Sequence, residues 1–206
     1  MSWEVNKVSS WDEIGRGSEK QKLTKREYNA KIKYDEIVMS RANDLGVVID
    51  DDLSEGIQYR IVTSKSFNAI SVIEYLMQKY ELTEVYVAVY RMNLQSVRRI
   101  EEIVNKNIPC KVLLSSFFRE NKKYEKWTKR IEEFGRSNPM ACISFAWSHA
   151  KVFLAKTKCG KSIVFEGSGN LSDNARIEQY LIENNRSAYD FHSQWIDEII
   201  SEEHGA

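Results

Sequence analysis

VYVAVYRMNLQSVRRIEEIVNKNIPCKVLLS, residues 85–115, reads as a strand, a helix and a second strand in one short run. Val85–Tyr90 is rich in β-branched and aromatic residues, the composition of a strand. Asn93 is a helix-capping residue type, and Leu94, Val97, Ile100 and Val104 behind it recur at helical spacing. Pro109 closes the connection, and Lys111–Ser115 is the next strand. Strands that alternate with helices at this pitch form βαβ units, whose strands run parallel. The pattern extends in both directions. Upstream, Ile57–Thr63 reads as a strand. Asn68–Tyr80 reads as a helix with Val72, Ile73, Leu76, Met77 and Tyr80 on one face. Downstream, Arg119–Arg136 reads as a single helix, its stripe of Tyr124, Trp127, Ile131 and Phe134 assigned to the core rather than to base stacking.

After Pro139 the elements shorten. Met140–Trp147, Lys151–Lys156 and Ser162–Glu166 are apolar strands, the last two joined by the turn Lys158–Lys161, where Gly160 suits a positive φ. Leu171–Ala175 is expected to begin a short helical turn. Ile177–Ile182 is one more strand, and Tyr189–Ile200 a closing helix. The fold class is therefore α/β, with a mixed, largely parallel β-sheet flanked by helices. Residues 1–52 read differently. Thr24-Lys-Arg-Glu27 is a capping-box pattern. Tyr34, Ile37, Val38, Ala42 and Leu45 then follow at helical spacing as far as Gly46, behind an irregular arm. The division is an N-terminal arm and helix, 1–52, and a main domain, 53–206.

A chain of 206 residues suffices for one domain with a sizeable core. Its 30 basic and 30 acidic residues cancel, which argues against a surface that grips nucleic acid by overall charge, though a local basic groove stays open. The segment Arg119–Arg136 holds seven Lys or Arg against four Asp or Glu. Cys110, Cys142 and Cys159 are odd in number and widely spaced, and with only 3 histidines they suggest reduced thiols rather than a zinc site. The start of the chain lacks the basic-then-apolar order of a signal peptide, and no apolar run is long enough to span a bilayer. The expectation is a cytoplasmic protein that does not enter membranes.

The chemistry concentrates in Ser148-His149-Ala150-Lys151, then Glu166-Gly167-Ser168-Gly169-Asn170, then Glu178. Residues two apart on a strand share a face, so His149 and Lys151 project together at a strand edge. The two glycines let the backbone turn and approach a ligand closely. A phosphodiester is anionic, and Lys151, Asn170 and backbone amides offer donors to its oxygens. An uncharged imidazole is a nucleophile available near neutral pH. Glu178, polar inside an apolar run, is the candidate to hold an imidazole's second nitrogen. His192 is expected at a partly exposed edge of the last helix, and His204 in a polar tail carries no role.

H-x-K followed by G-S-x-N and a downstream glutamate resembles the phospholipase D-like superfamily, in its branch with one motif per chain. The resemblance is sharpest over residues 148–182. It implies a mixed sheet between helices and a two-step reaction in which His149 attacks phosphorus to give a phosphohistidine. Lys151 and Asn170 would stabilise the phosphoryl oxygens, Ser168 would bind or orient phosphate, and Glu178 would hold a histidine. No metal or other cofactor is implied. Because a second histidine must protonate the leaving group, the resemblance also implies a homodimer with one composite site. The family's aspartate downstream of the lysine is replaced by Lys156, as nuclease-type members also lack it. The substrate class implied is nucleic acid, DNA ahead of RNA. Two alternatives are a nucleic-acid-binding module without turnover and a lipid phosphodiesterase. The latter would need a membrane-docking surface that the sequence does not show.

Overall fold

The computed structural model describes residues 34–41, 49, 52–63, 69–172 and 177–205. Eight strands form a single sheet. They are β1 (Glu36–Arg41), β2 (Ile57–Val62), β3 (Leu82–Val89), β4 (Cys110–Ser115), β5 (Ala141–Ala146), β6 (Lys151–Thr157), β7 (Ser162–Gly167) and β8 (Gln179–Asn184). The helices are α1 (Ile70–Lys79), α2 (Leu94–Asn105), α3 (Ser116–Glu120), α4 (Glu125–Ser137) and α5 (Arg186–Gly205). The strand order is β1-β2-β8-β7-β6-β3-β4-β5. The pairs β1–β2, β3–β4 and β4–β5 are parallel. The four pairings between β2 and β3, through β8, β7 and β6, are antiparallel. The sheet is thus mixed, with its parallel pairs confined to the two flanks. Between β6 and β7 the antiparallel pairing follows from a tight hairpin, which joins only antiparallel neighbours. There Gly160, at φ +92°, supplies the left-handed residue of the turn.

Alternation along the strands divides the core into two layers. Val85, Val87 and Val89 of β3, with Phe153 and Ala155 of β6, pack against Val72, Ile73 and Leu76 of α1 and Val97, Ile100 and Val104 of α2. The opposite face carries Tyr86, Ala88, Leu113, Val152, Leu154 and Val164, and these lie under Tyr189, Ile196 and Ile200 of α5. Tyr124, Trp127, Ile131 and Phe134 belong to the first layer, as core residues. The Asn93 side chain accepts a hydrogen bond from the Ser96 amide at 2.9 Å and caps α2.

Two helices differ from the sequence expectation. Glu36–Arg41 is a strand, the edge of the sheet, rather than part of a helix running to Gly46. Its backbone pairs in register with β2, and the Asp35 amide bonds to the Gly56 carbonyl at 2.9 Å. A parallel partner strand satisfies these amides, and the β-branched Ile37 and Val38 suit it, so tertiary pairing overrides a weak helical period. Thr24–Glu27 and Gly46 lie outside the described residues. The helix expected over 119–136 is broken at Asn121, whose backbone is extended and whose side chain accepts from the Lys123 amide at 3.0 Å. That side chain offers the backbone an alternative to the helix, and a 3-10 turn, Lys122–Tyr124, intervenes before α4.

Candidate active site

The site lies at the end of the sheet where β6 begins. Ser148 accepts a hydrogen bond from the Ala150 amide at 3.1 Å, a local turn that sets His149 just before the strand. His149 is exposed, and its ring lies 4.1 Å, centroid to centroid, from Tyr90. Lys151 opens β6, and its ammonium group folds back to donate to the His149 carbonyl at 2.8 Å. It also lies 6.0 Å from the Tyr90 ring centre. Burial lowers its pKa from the usual lysine value; nearby Glu178 opposes that shift and nearby Arg91 adds to it. Among the described residues no carboxylate forms an ion pair with Lys151.

Ser168 and Glu178 meet on the adjoining strand ends, the serine hydroxyl donating to Glu178 Oε2. The same hydroxyl accepts from the Gln179 amide at 3.0 Å, and the Ser168 amide donates to the Gln179 carbonyl at 2.9 Å. From the other side, buried Thr63 at the end of β2 holds Glu178 by its backbone. The Thr63 amide donates to the Glu178 carbonyl at 2.9 Å, and the Glu178 amide donates to the Thr63 hydroxyl at 3.1 Å. Gly167 makes this convergence possible. A Cβ there would sit 2.2 Å from the Gln179 carbonyl oxygen, so only glycine lets β7 and β8 close at this point. Asn170 lies at the root of the same loop. The next residue, Leu171, accepts from the Asn93 amide and the Ser96 hydroxyl, both at 2.9 Å, which ties the loop to the start of α2. Most of the helical turn expected over 171–175 lies outside the described residues.

His149 and Lys151 line a groove of about 1150 Å³ with Arg60, Val62, Glu166, Gln179 and Leu181. Its lining comes from β2, β6, β7 and β8, and Glu166 brings it up to His192 of α5. His192 lies on α5 partly exposed, as expected, its side chain 14% accessible. Its Nε2 lies 3.3 Å from Glu166 Oε2, and its Nδ1 accepts from the Trp195 indole at 3.1 Å. With Nδ1 accepting, Nε2 carries the proton, and that hydrogen bond holds the Glu166 carboxyl below its usual value. Among the described residues, no cluster of three or more His, Cys, Asp or Glu could hold a metal ion. No helix there is long and apolar enough to cross a membrane.

Lys156, at the family's aspartate position, stands apart from this site. It pairs with Glu84 at 3.2 Å and lies 4.7 Å from the Tyr189 ring centre, so it ties β6 to β3 and α5. The cations of residues 119–136 are largely spent within the protein. Arg119 and Arg136 pair with Glu132, Lys129 with Glu125, and Arg130 with Glu101. Tyr90 and Arg91 behind β3 lie against His149 and near Lys151, Thr63 behind β2 holds Glu178, and His192 of α5 meets Glu166. Strand register was the signal that could have placed Tyr90, since Val89 pairs with Lys151.

No family model and no curated protein matches the sequence. Solved structures do match. Nuc from Salmonella typhimurium, a phospholipase D family member, aligns over 69% of this chain and 93% of its own, at 10% identity and TM-score 0.50. Phosphatidylserine synthase from Haemophilus influenzae aligns over 71% of this chain but 39% of its own, at 10% identity and TM-score 0.50. A polyphosphate kinase from Porphyromonas gingivalis is covered over only 25% of its length, at 17% identity and TM-score 0.49. The chain therefore shares the fold of Nuc, a phospholipase D family member.

Proposed function

We propose that the chain is a metal-independent phosphodiesterase, an endonuclease acting on DNA or RNA, with His149 as nucleophile. The observation that carries this reading is the convergence of two separately held pairs, His149–Lys151 and Ser168–Glu178, at one end of the sheet. Attack by an imidazole nitrogen on phosphorus forms the N–P bond and expels the leaving oxygen, which needs a proton. Water then breaks the N–P bond and restores the imidazole. Lys151 and Asn170 stabilise the phosphoryl oxygens in both steps, and Ser168 orients them. Glu178, already bound to Ser168, holds the serine or a histidine in place. The leaving group's proton comes from a second histidine, His149 of another copy, so the working enzyme is a homodimer with a composite site.

Labelled DNA and RNA incubated with the protein in EDTA test the reading. Cleavage by the wild-type chain is expected, with loss in His149→Ala. Uncut substrate, or equal cleavage by the variant, would remove the proposal. Lys156 favours a second reading, since the family's aspartate is absent: a nucleic-acid-binding module that retains affinity in His149→Ala and forms no product under any condition.

A further inference from the structure

Strand register places an aromatic residue at the end of each strand that follows β6 across the sheet. Val89 of β3 pairs with Lys151 and with Leu114 of β4, and Ser115 of β4 pairs with Ala146 of β5. Near these strand ends lie, in order across the sheet, His149, two residues before β6; Tyr90, directly after β3; Phe117, in the first turn of α3 behind β4; and Trp147, directly after β5. Three strand spacings separate the first from the last, about 14 Å. The row is a physical stack at its start. Tyr90 lies against the His149 ring, and Phe117 stacks on Tyr90 at 5.5 Å with 17° between planes. Phe117 is 42% exposed and Trp147 71% exposed, the largest exposure among the described large hydrophobic residues.

A cation accompanies the row. Arg91 follows Tyr90 and lies close enough to Lys151 to lower its pKa. It donates to the Tyr124 hydroxyl at 3.2 Å, and its Nε is buried without a hydrogen-bond partner among the described residues. Among those residues no carboxylate pairs with Arg91. An arginine left with unspent donors beside a phosphoryl site suits a second phosphate.

We infer that the substrate is single-stranded nucleic acid where it crosses this site, its bases stacked on Phe117 and Trp147 and a neighbouring phosphate held by Arg91. This rests on the phosphodiesterase reading for the place of the reacting phosphate at His149. Exposed ring faces are of use to unpaired bases, whereas a duplex keeps its base faces hidden in its own stack. The rings also continue directly from the candidate nucleophile, so bases on them and a phosphate at His149 belong to one strand.

The test is fluorescence anisotropy with a labelled phosphorothioate oligothymidylate of about twenty residues, and with its duplex, in EDTA at fixed salt. Wild-type protein should bind the single strand at least about tenfold more tightly than the duplex. Trp147→Ala should lose about tenfold, Phe117→Ala a similar factor, and Trp147→Tyr should recover most of the loss. Equal binding of strand and duplex, or wild-type affinity in both alanine variants, overturns the inference. So does a Trp147→Ala defect confined to binding phosphatidylglycerol vesicles, or one that appears only as dissociation of a dimer in sedimentation. Hydrolysis of bis(p-nitrophenyl) phosphate by wild-type protein is measured alongside, because it needs no base. Absent hydrolysis with intact strand binding would sink the phosphodiesterase reading alone. Hydrolysis with unaltered binding in the variants would sink the stacking platform alone.

Discussion

The two ends of β6 each carry a lysine, and the comparison between them separates the site from the scaffold. Lys151 is half-buried, bonds among the described residues only to a backbone carbonyl, and has its pKa lowered chiefly by burial. Lys156 has a carboxylate partner in Glu84 and an aromatic face in Tyr189. The two are five residues apart, an odd interval, so their side chains leave the strand on opposite faces. Residue type is the same and the backbone is continuous; only the neighbours differ. An ammonium group already matched by a carboxylate has little to offer an incoming anion. One that is partly desolvated and unmatched among the described residues attracts it strongly.

The largest expected effect is therefore on turnover. Lys151→Ala should slow oligonucleotide cleavage by roughly a hundredfold or more, while Lys156→Ala stays within about twofold. Initial rates in EDTA measure both, and equal losses would break the comparison. Next comes stability at the Lys151 end. Gly167→Ala places a methyl group against the Gln179 carbonyl and the Tyr180 ring, and should cost about 1–3 kcal/mol in urea unfolding. A neutral result would mean that β7 and β8 close differently there.

The alkaline limb of the rate profile sharpens the contrast. Because Lys151's pKa is lowered, it sheds its proton earlier as pH rises, and the proposed mechanism needs its charged form. Activity should then decline below about pH 10.4, where an ordinary lysine is still half charged. Lys151→Arg should remove that decline, since a guanidinium keeps its proton throughout the range. A limb that persists in Lys151→Arg belongs to another group. The smallest effect is expected for Lys156→Asp, which installs the aspartate of the motif that the sequence resembles but faces Glu84. Like charges on adjacent strands should cost about 0.5–1 kcal/mol in the urea midpoint, without a gain in turnover. A gain would show that the aspartate position still serves the site.

Much of this architecture was legible from pattern alone, for identifiable reasons. The βαβ unit at residues 85–115 combines a strand composition, a capping Asn93 and a helical period, all local properties that the fold agrees with. The edge strand β1 was not legible, because Ile37 and Val38 fit a helical spacing as well as a strand, and β2 decides between them. The pairing of His192 with Glu166 was not legible, because helical phase says nothing of β7. Spacing brought His149 next to Lys151 and Ser168 next to Asn170. It could not reveal that Ser168 would meet Glu178, or that Thr63 would fasten Glu178 from β2.

By itself, then, the sequence determined the α/β class, the ends of most elements and the candidate residues, since these depend on interactions along a few neighbouring positions. Tertiary structure alone decided which residues share a groove, which cations are already spent, and where an aromatic row lies exposed. Those outcomes depend on strand order and register, and pairing across a sheet joins positions far apart in the chain through backbone bonds common to every residue.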